Sequence, residues 1–419
     1  MRRMTSLQFL EILRRTLNKV DARLVNHGEK VGYIIYTILN AVGGFTKDEI
    51  NELALLGILH DIGAYKTEEI DDMMAFENSH VWQHSIYGYL FLKNLSAMKE
   101  KARPLLFHHA SYRCYKELGL TDDDVSGLIR LADRIDVITN YSNAKVCREW
   151  IIENRGTLLS PYWVDKFLNM PNHKEILEEI ESHGYLLKMK KMAEELSYEF
   201  DEIESYLSVI AYTIDFRSEF MVLHTVTTVN VSTSIGERMD LDEQELSNLH
   251  FGALLHDVGK IACPVEILEK PGKLTIEEME IMKEHVSVTQ DILEGVISDD
   301  IAKIASRHHE KINGNGYPLG LSLADLTLSE CICAVADIVS ALIGQRSYKD
   351  AFDKDKTISI LEKMRNDGEL LSSPVNIVIR NFDVIMNEVS QSSKEVIQAY
   401  QSIMSEFEVL LEKYRSIEI

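Results

Sequence analysis

The sequence predicts an all-α protein built from two tandem copies of one helical domain. Only seven prolines and 21 glycines occur in 419 residues, and the abundance of Leu, Ile, Glu and Lys favours helices over a β-sandwich. A chain of this length is expected to form two domains with substantial cores. An internal repeat supports the division, since "LALLGILHDIGAYK" from Leu53 to Lys66 is echoed by "LHFGALLHDVGKIA" from Leu249 to Ala262.

The repeat extends to an ordered series of histidines and aspartates. In each half the order is His, His-Asp, His, His-His and then an Asp preceded by Ala. The residues of the first half are His27, His60, Asp61, His84, His108, His109 and Asp133. Those of the second half are His224, His256, Asp257, His285, His308, His309 and Asp337. Corresponding members lie between 196 and 204 positions apart, which random placement of histidines would rarely produce.

The apolar spacing around these residues is helical. "LLHDVGK" and "AVADIVSALI" both show it, so the polar side chains are expected to project from helices into a shared interior. We place the domain boundary between residues 195 and 196, giving domains of 1–195 and 196–419. The charged segment around the boundary has no Gly/Pro/Ser linker and predicts a helical connection. The tail from roughly Ser390 to Ile419 predicts a long amphipathic helix, which packs on its own domain or, alternatively, mediates a homodimer.

Composition excludes several classes of function. The formal net charge of -23 argues against a protein that binds DNA or RNA, because phosphate backbones require dense Lys/Arg surfaces. A small anionic ligand remains compatible with this charge if positive charge is concentrated locally. The five cysteines form neither a CxxC pair nor an even framework, as expected for reduced thiols. With no membrane-length apolar run and no signal-peptide pattern, we expect a cytoplasmic protein that does not bind membranes.

The donor set predicts metal-dependent hydrolysis. Five histidines and two aspartates in each half are too many for one tetrahedral ion, and they suit Fe, Mn or Zn better than Ca²⁺ or Mg²⁺. Two ions that share a bridging carboxylate would hold a hydroxide and clamp the attacking and leaving oxygens of a phosphoester. A single buried histidine is more often an ordinary core residue, so the prediction depends on the whole ordered series.

The second half resembles the HD-GYP family of cyclic-dinucleotide phosphodiesterases over roughly residues 200 to 390. The motifs that carry the resemblance are "HDVGK", "EILEKPGKL", "HHEKINGNGYP" and "QRSYK". The first half is similar to the broader HD superfamily of metal-dependent phosphohydrolases. The resemblance therefore implies two tandem HD-superfamily domains, the second of HD-GYP type, followed by the long C-terminal helix.

The resemblance also implies roles for individual residues. Asp257 would bridge two divalent ions, with Fe or Mn favoured. One ion would be completed by His224, His256 and Asp337, and the other by His285, His308 and His309. Lys260 would face the scissile phosphate and stabilise its developing charge. The remaining substrate contacts would come from Gly314, Tyr317, Pro318, Arg346 and Lys349.

Three departures limit this transfer. Some family members hold a third metal with a glutamate where this chain has Phe220, so we expect two ions. The family often has a second aspartate where this chain has Ser340, which predicts looser support of the ligands. The first half has Ala64 in place of Lys260 and has no GYP loop, although a further metal pair is compatible with its donors.

The leading interpretation is an enzyme that opens cyclic di-GMP or 3',3'-cyclic GMP-AMP to the linear dinucleotide in signal turnover. The first half is either a nucleotidase that acts on the linear product or a metal-containing regulatory domain. For the whole protein, the alternative is a catalytically silent cyclic-dinucleotide receptor that acts through protein partners.

Overall fold

The computed structural model describes residues 4–19, 26–64, 81–218, 221–344 and 352–417. These residues form α-helices with short 3₁₀ turns and contain no β-strand, which confirms the predicted all-α class. The helices of the first half are α1 (Ser6–Leu17), α2 (His27–Val42), α3 (Lys47–Ile58), α4 (Val81–Leu95), α5 (Arg103–Leu106), α6 (Tyr115–Leu118), α7 (Val125–Tyr141), α8 (Ala144–Glu153), α9 (Pro161–Leu168), α10 (His173–Glu181) and α11 (Tyr185–Glu195). Those of the second half are α12 (Phe200–Asp215), α13 (His224–Arg238), α14 (Glu243–Leu255), α15 (Val265–Leu268), α16 (Ile276–Leu293), α17 (Asp299–Ser306), α18 (Leu328–Ile343), α19 (Lys354–Asn366) and α20 (Ser372–Tyr414).

Local sequence signals account for where the main helices begin. Thr46, Asp242, Thr275 and Thr327 each accept a hydrogen bond from the backbone three residues later. In each case a glutamate at that third position reaches back to the backbone of the capping residue, which completes a capping box. Four helices that carry or support the site residues, α3, α14, α16 and α18, therefore begin at defined positions.

The first compact unit contains most of the N-terminal half together with residues 402–417. Its α2 packs against α3 and α7, and Ile34, Ile35, Leu55 and Leu131 on these helices are completely buried. Here the end of α20 packs on α4: the ring of Tyr414 stacks on that of Trp82, and Phe407 stacks on Tyr87. The predicted C-terminal helix therefore exists, but the expectation that it packs on its own domain is wrong for its last turns, because Phe407 and Tyr414 pack on aromatic residues of the first half.

The second compact unit contains residues 204–401 and part of α1. Its α13 packs against α14 and α18, and α14 packs against α17. Val231, Leu249, Ile304, Val335 and Phe382 belong to its buried core. These units are defined by packing alone, so the functional boundary between residues 195 and 196 stays a prediction.

Among the described residues, no helix combines the length and the apolar character needed to cross a membrane.

Candidate metal centres

The second unit brings all seven predicted donors of its half into one buried cluster. They fall into two groups, the first formed by His224, His256 and Asp257 and the second by His285, His308 and His309, and within each group the ligand atoms lie within 4.8 Å of one another. The seventh donor, Asp337, projects from α18 with Oδ1 3.2 Å from Nε2 of His224 and Oδ2 3.6 Å from Nδ1 of His309. The arrangement can hold two ions.

The two carboxylate oxygens of Asp257 face different groups. Its Oδ2 lies 3.1 Å from Nε2 of His224 and 3.2 Å from Nε2 of His256. Its Oδ1 lies 3.4 Å from Nε2 of His285 and 3.9 Å from Nε2 of His308. Asp257 therefore presents one carboxylate oxygen to each donor group.

The backbone fixes the orientation of three of these imidazole rings. The Nδ1 atoms of His256, His285 and His308 lie 2.5 to 2.7 Å from the carbonyl oxygens of the residues three positions earlier. A carbonyl can only accept, so each Nδ1 carries the proton and each Nε2 lone pair is directed into the cluster. In each case a backbone carbonyl three residues earlier therefore orients the ligand and selects its tautomer.

His224 is oriented by a side chain instead. Its Nδ1 lies 2.5 Å from the hydroxyl oxygen of Ser340, one turn beyond Asp337 on α18. In the first half, Asp136 occupies the corresponding place, and its Oδ2 lies 2.7 Å from Nδ1 of His27. Ser340 therefore supports a ligand from the position where the sequence analysis predicted looser support for lack of an aspartate.

Burial and charge set the ionisation of the cluster. Burial lowers the pKa of His285 to about 3 and that of His309 to about 4. Burial also opposes a charged His224, but its hydrogen bonds with Asp257 and Asp337 outweigh this and raise its pKa to about 9. Burial disfavours ionised Asp257 as well, yet the adjacent His256 and Lys260 hold its pKa well below the usual range. Neutral imidazoles and ionised carboxylates are the forms that bind metals.

Buried atoms without hydrogen-bond partners test whether metals fit these clusters. Three atoms of the clusters are buried and have no hydrogen-bond partner: Oδ1 of Asp257, Oδ1 of Asp61 and Nε2 of His108. Leaving such acceptors buried and unpaired is costly, whereas coordination would satisfy all three. The donor atoms and their surroundings therefore fit divalent cations in both halves.

A glycine close to each His-Asp pair lets the backbone there approach the helix that carries the next ligand. The sequence analysis did not identify this role. A Cβ on Gly259 would lie 2.0 Å from the carbonyl oxygen of His285, and a Cβ on Gly63 would lie 2.0 Å from that of His84. Only glycine allows the HD turn to approach the helix that carries the next ligand so closely. The shared "HDxG" pattern was the available signal, but its reason is a tertiary contact.

Lys260 and the GYP loop lie beside the second-half cluster. Nζ of Lys260 is 2.5 Å from Oδ2 of Asp257. The ring of Tyr317 packs on that of His309, with centroids 4.7 Å apart, and Pro318 follows it in the loop. Gly314 adopts a positive φ of 79°, a conformation that glycine adopts without strain. The proposed substrate residues Arg346 and Lys349 lie outside the described residues.

Glu310 holds this loop, a role that the sequence analysis also missed. Its side chain is buried, and its Oε1 and Oε2 accept hydrogen bonds from the backbone N–H groups of Leu319 and Leu321 at 2.7 and 2.9 Å. The backbone N–H of Tyr317 donates to the carbonyl oxygen of His309. The loop is thus tied directly to the residues that follow the ligand doublet.

The first unit repeats the two-group geometry with its own seven residues. One group contains Asp61, His84, His108 and His109, and the other contains His27, His60 and Asp133. Oδ2 of Asp61 lies 3.1 Å from Nε2 of His60, while its Oδ1 lies 3.5 Å from Nε2 of His108. Asp61 therefore presents one oxygen to each group, as Asp257 does.

The surroundings of the first cluster differ from those of the second. Nζ of Lys30 pairs with Asp136 at 2.8 Å, which places an additional ion pair behind His27. Burial opposes a charged His27, but its hydrogen bonds with Asp136 and Asp61 raise its pKa to about 10. Ala64, at the position that corresponds to Lys260, is buried and brings no charge to the cluster.

Comparisons with known proteins agree with this architecture. Residues 208–370 match the family described as "HD domain". Over 394 residues the chain is 26% identical to a 3'3'-cGAMP-specific phosphodiesterase 1 of Vibrio cholerae, covering 88% of this chain and 89% of that protein. It is 34% identical over 217 residues to a cyclic di-GMP phosphodiesterase of Thermotoga maritima, covering 50% of this chain and 58% of that protein.

A solved structure shares the fold across nearly the whole chain. It is a cyclic GMP-AMP-specific phosphodiesterase of V. cholerae, with a TM-score of 0.55 at 16% identity, and the match covers 92% of this chain and 98% of that one. At this identity the match is evidence for the fold alone.

The helical fold, the His/Asp clusters and the matched family define an HD-domain hydrolase. Within that class, the second half carries the "HHEKINGNGYP" loop and is similar to named cyclic-dinucleotide phosphodiesterases, in agreement with the resemblance to the HD-GYP family found in the sequence. The family match lies wholly outside the first cluster.

Proposed function

We propose that the second half hydrolyses a 3',5'-cyclic dinucleotide to the linear dinucleotide, using two divalent metal ions. The observation that carries the proposal is Asp257, which turns one oxygen to each of two ligand groups and lies next to Lys260. The ligands proposed for the ions are His224, His256, Asp257, His285, His308, His309 and Asp337. The relatives are named for the hydrolysis of such substrates, which supports the same reaction here.

The metal ligands, Lys260 and the GYP loop would each contribute differently to the reaction. Fe or Mn bound here would supply a nucleophile derived from water and would neutralise phosphate charge. Lys260 places an ammonium where charge develops on the nonbridging phosphate oxygens. Tyr317, in the loop that Glu310 holds by hydrogen bonds, provides an aromatic ring on which a nucleobase can stack. Water adds to one phosphorus as one P–O bond breaks, so the product carries a terminal phosphate and a free hydroxyl.

Product analysis tests this proposal against the silent-receptor alternative. The full chain, loaded with Fe(II) or Mn(II) under reducing conditions, would be incubated separately with cyclic di-GMP and with 3',3'-cyclic GMP-AMP, and the products separated by chromatography. We expect a linear dinucleotide from at least one of them and a strong loss of activity in Lys260→Ala. Binding of both compounds without any linear product would identify a receptor instead.

For the first half we propose a second metal site formed by His27, His60, Asp61, His84, His108, His109 and Asp133. The matching positions of Asp61 and Asp257 between two donor groups support this. Its role is either hydrolysis of the terminal phosphate of the linear product or regulation of the second half. Release of inorganic phosphate from the linear dinucleotide, lost in His60→Ala, would establish the hydrolytic role.

A further inference from the structure

The turn that carries Lys260 is held by a side chain of the neighbouring α16. Thr289 lies on this helix and is completely buried. Its hydroxyl donates to the carbonyl oxygen of His256 at 3.0 Å and accepts from the backbone N–H of Gly259 at 3.0 Å. One hydroxyl therefore pairs with two backbone groups of the turn, one before and one after Asp257.

This hydroxyl is directed away from its own helix. A threonine inside a helix often donates to the carbonyl oxygen four residues earlier, as Thr228 does to His224 on α13 at 2.9 Å. Thr289 donates across the helix interface instead. Since a hydroxyl has one proton to donate, the contact with His256 takes the place of a contact within α16.

A guanidinium holds the other end of the same turn. Arg217 is buried, and its Nη1 donates to the carbonyl oxygens of Lys260 and Ile261 at 2.8 and 2.9 Å. Hydrogen bonds therefore fix the backbone on both sides of the Cα atom of Lys260. The side chain starts from this fixed point, and its Nζ lies 2.5 Å from Oδ2 of Asp257.

The first half shows that the fold itself does not require this hydroxyl. Gly88 occupies the position of Thr289, four residues after the corresponding histidine. A Cβ on Gly63 would lie 2.5 Å from the backbone nitrogen of Gly88, and a Cβ on Gly259 would lie 2.6 Å from that of Thr289. The two backbones therefore approach equally closely whether or not a threonine is present.

The hydroxyl accompanies the lysine instead. The first half has Gly88 and Ala64 where the second half has Thr289 and Lys260. An alanine brings no charge that must be placed. An ammonium that acts on a phosphate must be placed closely, since a misplacement of about 1 Å can cost about a hundredfold in rate.

We propose that Thr289 is a positioning residue for Lys260. By holding the turn from α16, its hydroxyl directs the ammonium of Lys260 at the scissile phosphate, while Arg217 fixes the other end of the turn. This inference rests on the proposed diesterase function of the second half and adds a residue to it.

Two substitutions test whether the hydroxyl itself is responsible. Thr289→Val keeps the shape of the side chain and removes the partner of two backbone groups, so kcat for linear dinucleotide formation should fall about ten- to a hundredfold. KM and bound metal should match the wild type, because the ligand side chains are unchanged. Thr289→Ser restores the hydroxyl and should keep kcat within about threefold of the wild type.

Thr16→Val is the matched control. It removes a buried threonine hydroxyl that donates to the carbonyl oxygen of Ile12 within α1. This contact involves neither the turn nor a proposed ligand, so the variant should open the cyclic dinucleotide at the wild-type rate.

Hydrogen exchange tests the contact without substrate. In the full chain, the amides of the turn Val258–Ala262 should exchange at least about tenfold faster in Thr289→Val than in the wild type. Exchange in Thr289→Ser and in Thr16→Val should match the wild type.

Any of four results would overturn the proposal. These are a kcat in Thr289→Val within about threefold of the wild type, unchanged exchange of the turn in that variant, an equal fall of kcat in Thr289→Ser, and loss of metal from Thr289→Val. The third would assign the effect to side-chain shape and the fourth to the ligands. A wild-type chain that opens neither cyclic dinucleotide would refute the proposed diesterase, whereas hydrogen exchange would still decide whether Thr289 holds the turn.

Discussion

Replacing Glu310 tests whether the GYP loop must be held in place for cyclic-dinucleotide hydrolysis. Glu310→Ala removes the acceptors of two backbone N–H groups, those of Leu319 and Leu321. Hydrogen bonds to a charged group contribute about 1.5–3 kcal/mol each, so the ordered loop should lose roughly 3–6 kcal/mol. None of the proposed metal ligands is altered.

The expected result is a fall in kcat/KM of at least about a hundredfold, since each 1.36 kcal/mol corresponds to about a factor of ten. The assay is the initial rate of linear dinucleotide formation, with metal content measured on the same samples and expected to be unchanged. Glu369→Ala is the matched control, because it removes only the half-exposed ion pair of Glu369 with Lys311 in the same loop, which should contribute about 0–1 kcal/mol. A rate within about threefold of the wild type in Glu310→Ala, corresponding to less than about 1 kcal/mol, would refute the reasoning.

Three further predictions concern the ligand supports. Ser340→Ala removes the contact with Nδ1 of His224 and should weaken metal binding about 10- to 100-fold in a chelator competition. Ser340→Asp should keep the metal affinity of the wild type. An alanine variant that binds metal as tightly as the wild type would contradict this prediction. Tyr414→Ala removes the ring stacked on Trp82, which lies two positions before the proposed ligand His84. The metal content of the first cluster should fall and that of the second should not. An unchanged metal content would show that this packing does not support the first cluster. Because His224 and His27 have raised pKa values of about 9 and 10, metal binding near neutral pH must displace a proton from each, so affinity should rise with pH up to those values. Calorimetry in buffers of different ionisation enthalpy would count the protons released when metal binds. If no proton is released, the predicted rise of metal affinity with pH is wrong.

The ligand clusters could be predicted from the sequence because histidine and aspartate carry their chemistry in the side chain itself. The same order in two halves made chance unlikely to explain either series, and the structure brings each series together around Asp61 and Asp257. The all-α class followed from composition and helical spacing for a similar reason, since both act locally along the chain.

Residues that act through tertiary contacts could not be predicted in the same way. Gly259 is needed because the backbone of His285 approaches it too closely for a Cβ. Glu310 is needed because it accepts hydrogen bonds from two backbone N–H groups nine and eleven positions later. Arg134 stands beside Asp133 in the sequence, but the sequence does not show that its guanidinium turns back to contact that carboxylate at 2.8 Å. The C-terminal helix was predicted from its apolar spacing, whereas its contact with Trp82 was not.

The central claim is that the Asp257 cluster opens a cyclic dinucleotide while the Asp61 cluster does not. The most direct measurement is the amount of linear dinucleotide formed by the Fe(II)- or Mn(II)-loaded full chain, by His256→Ala and by His60→Ala, with bound metal determined for each. We predict that His256→Ala forms no linear dinucleotide and that His60→Ala still forms it, at close to the wild-type rate if the first half is hydrolytic and at an altered rate if it is regulatory. Ring opening that persists in His256→Ala, or that disappears in His60→Ala while the second cluster keeps its metal, would contradict the account.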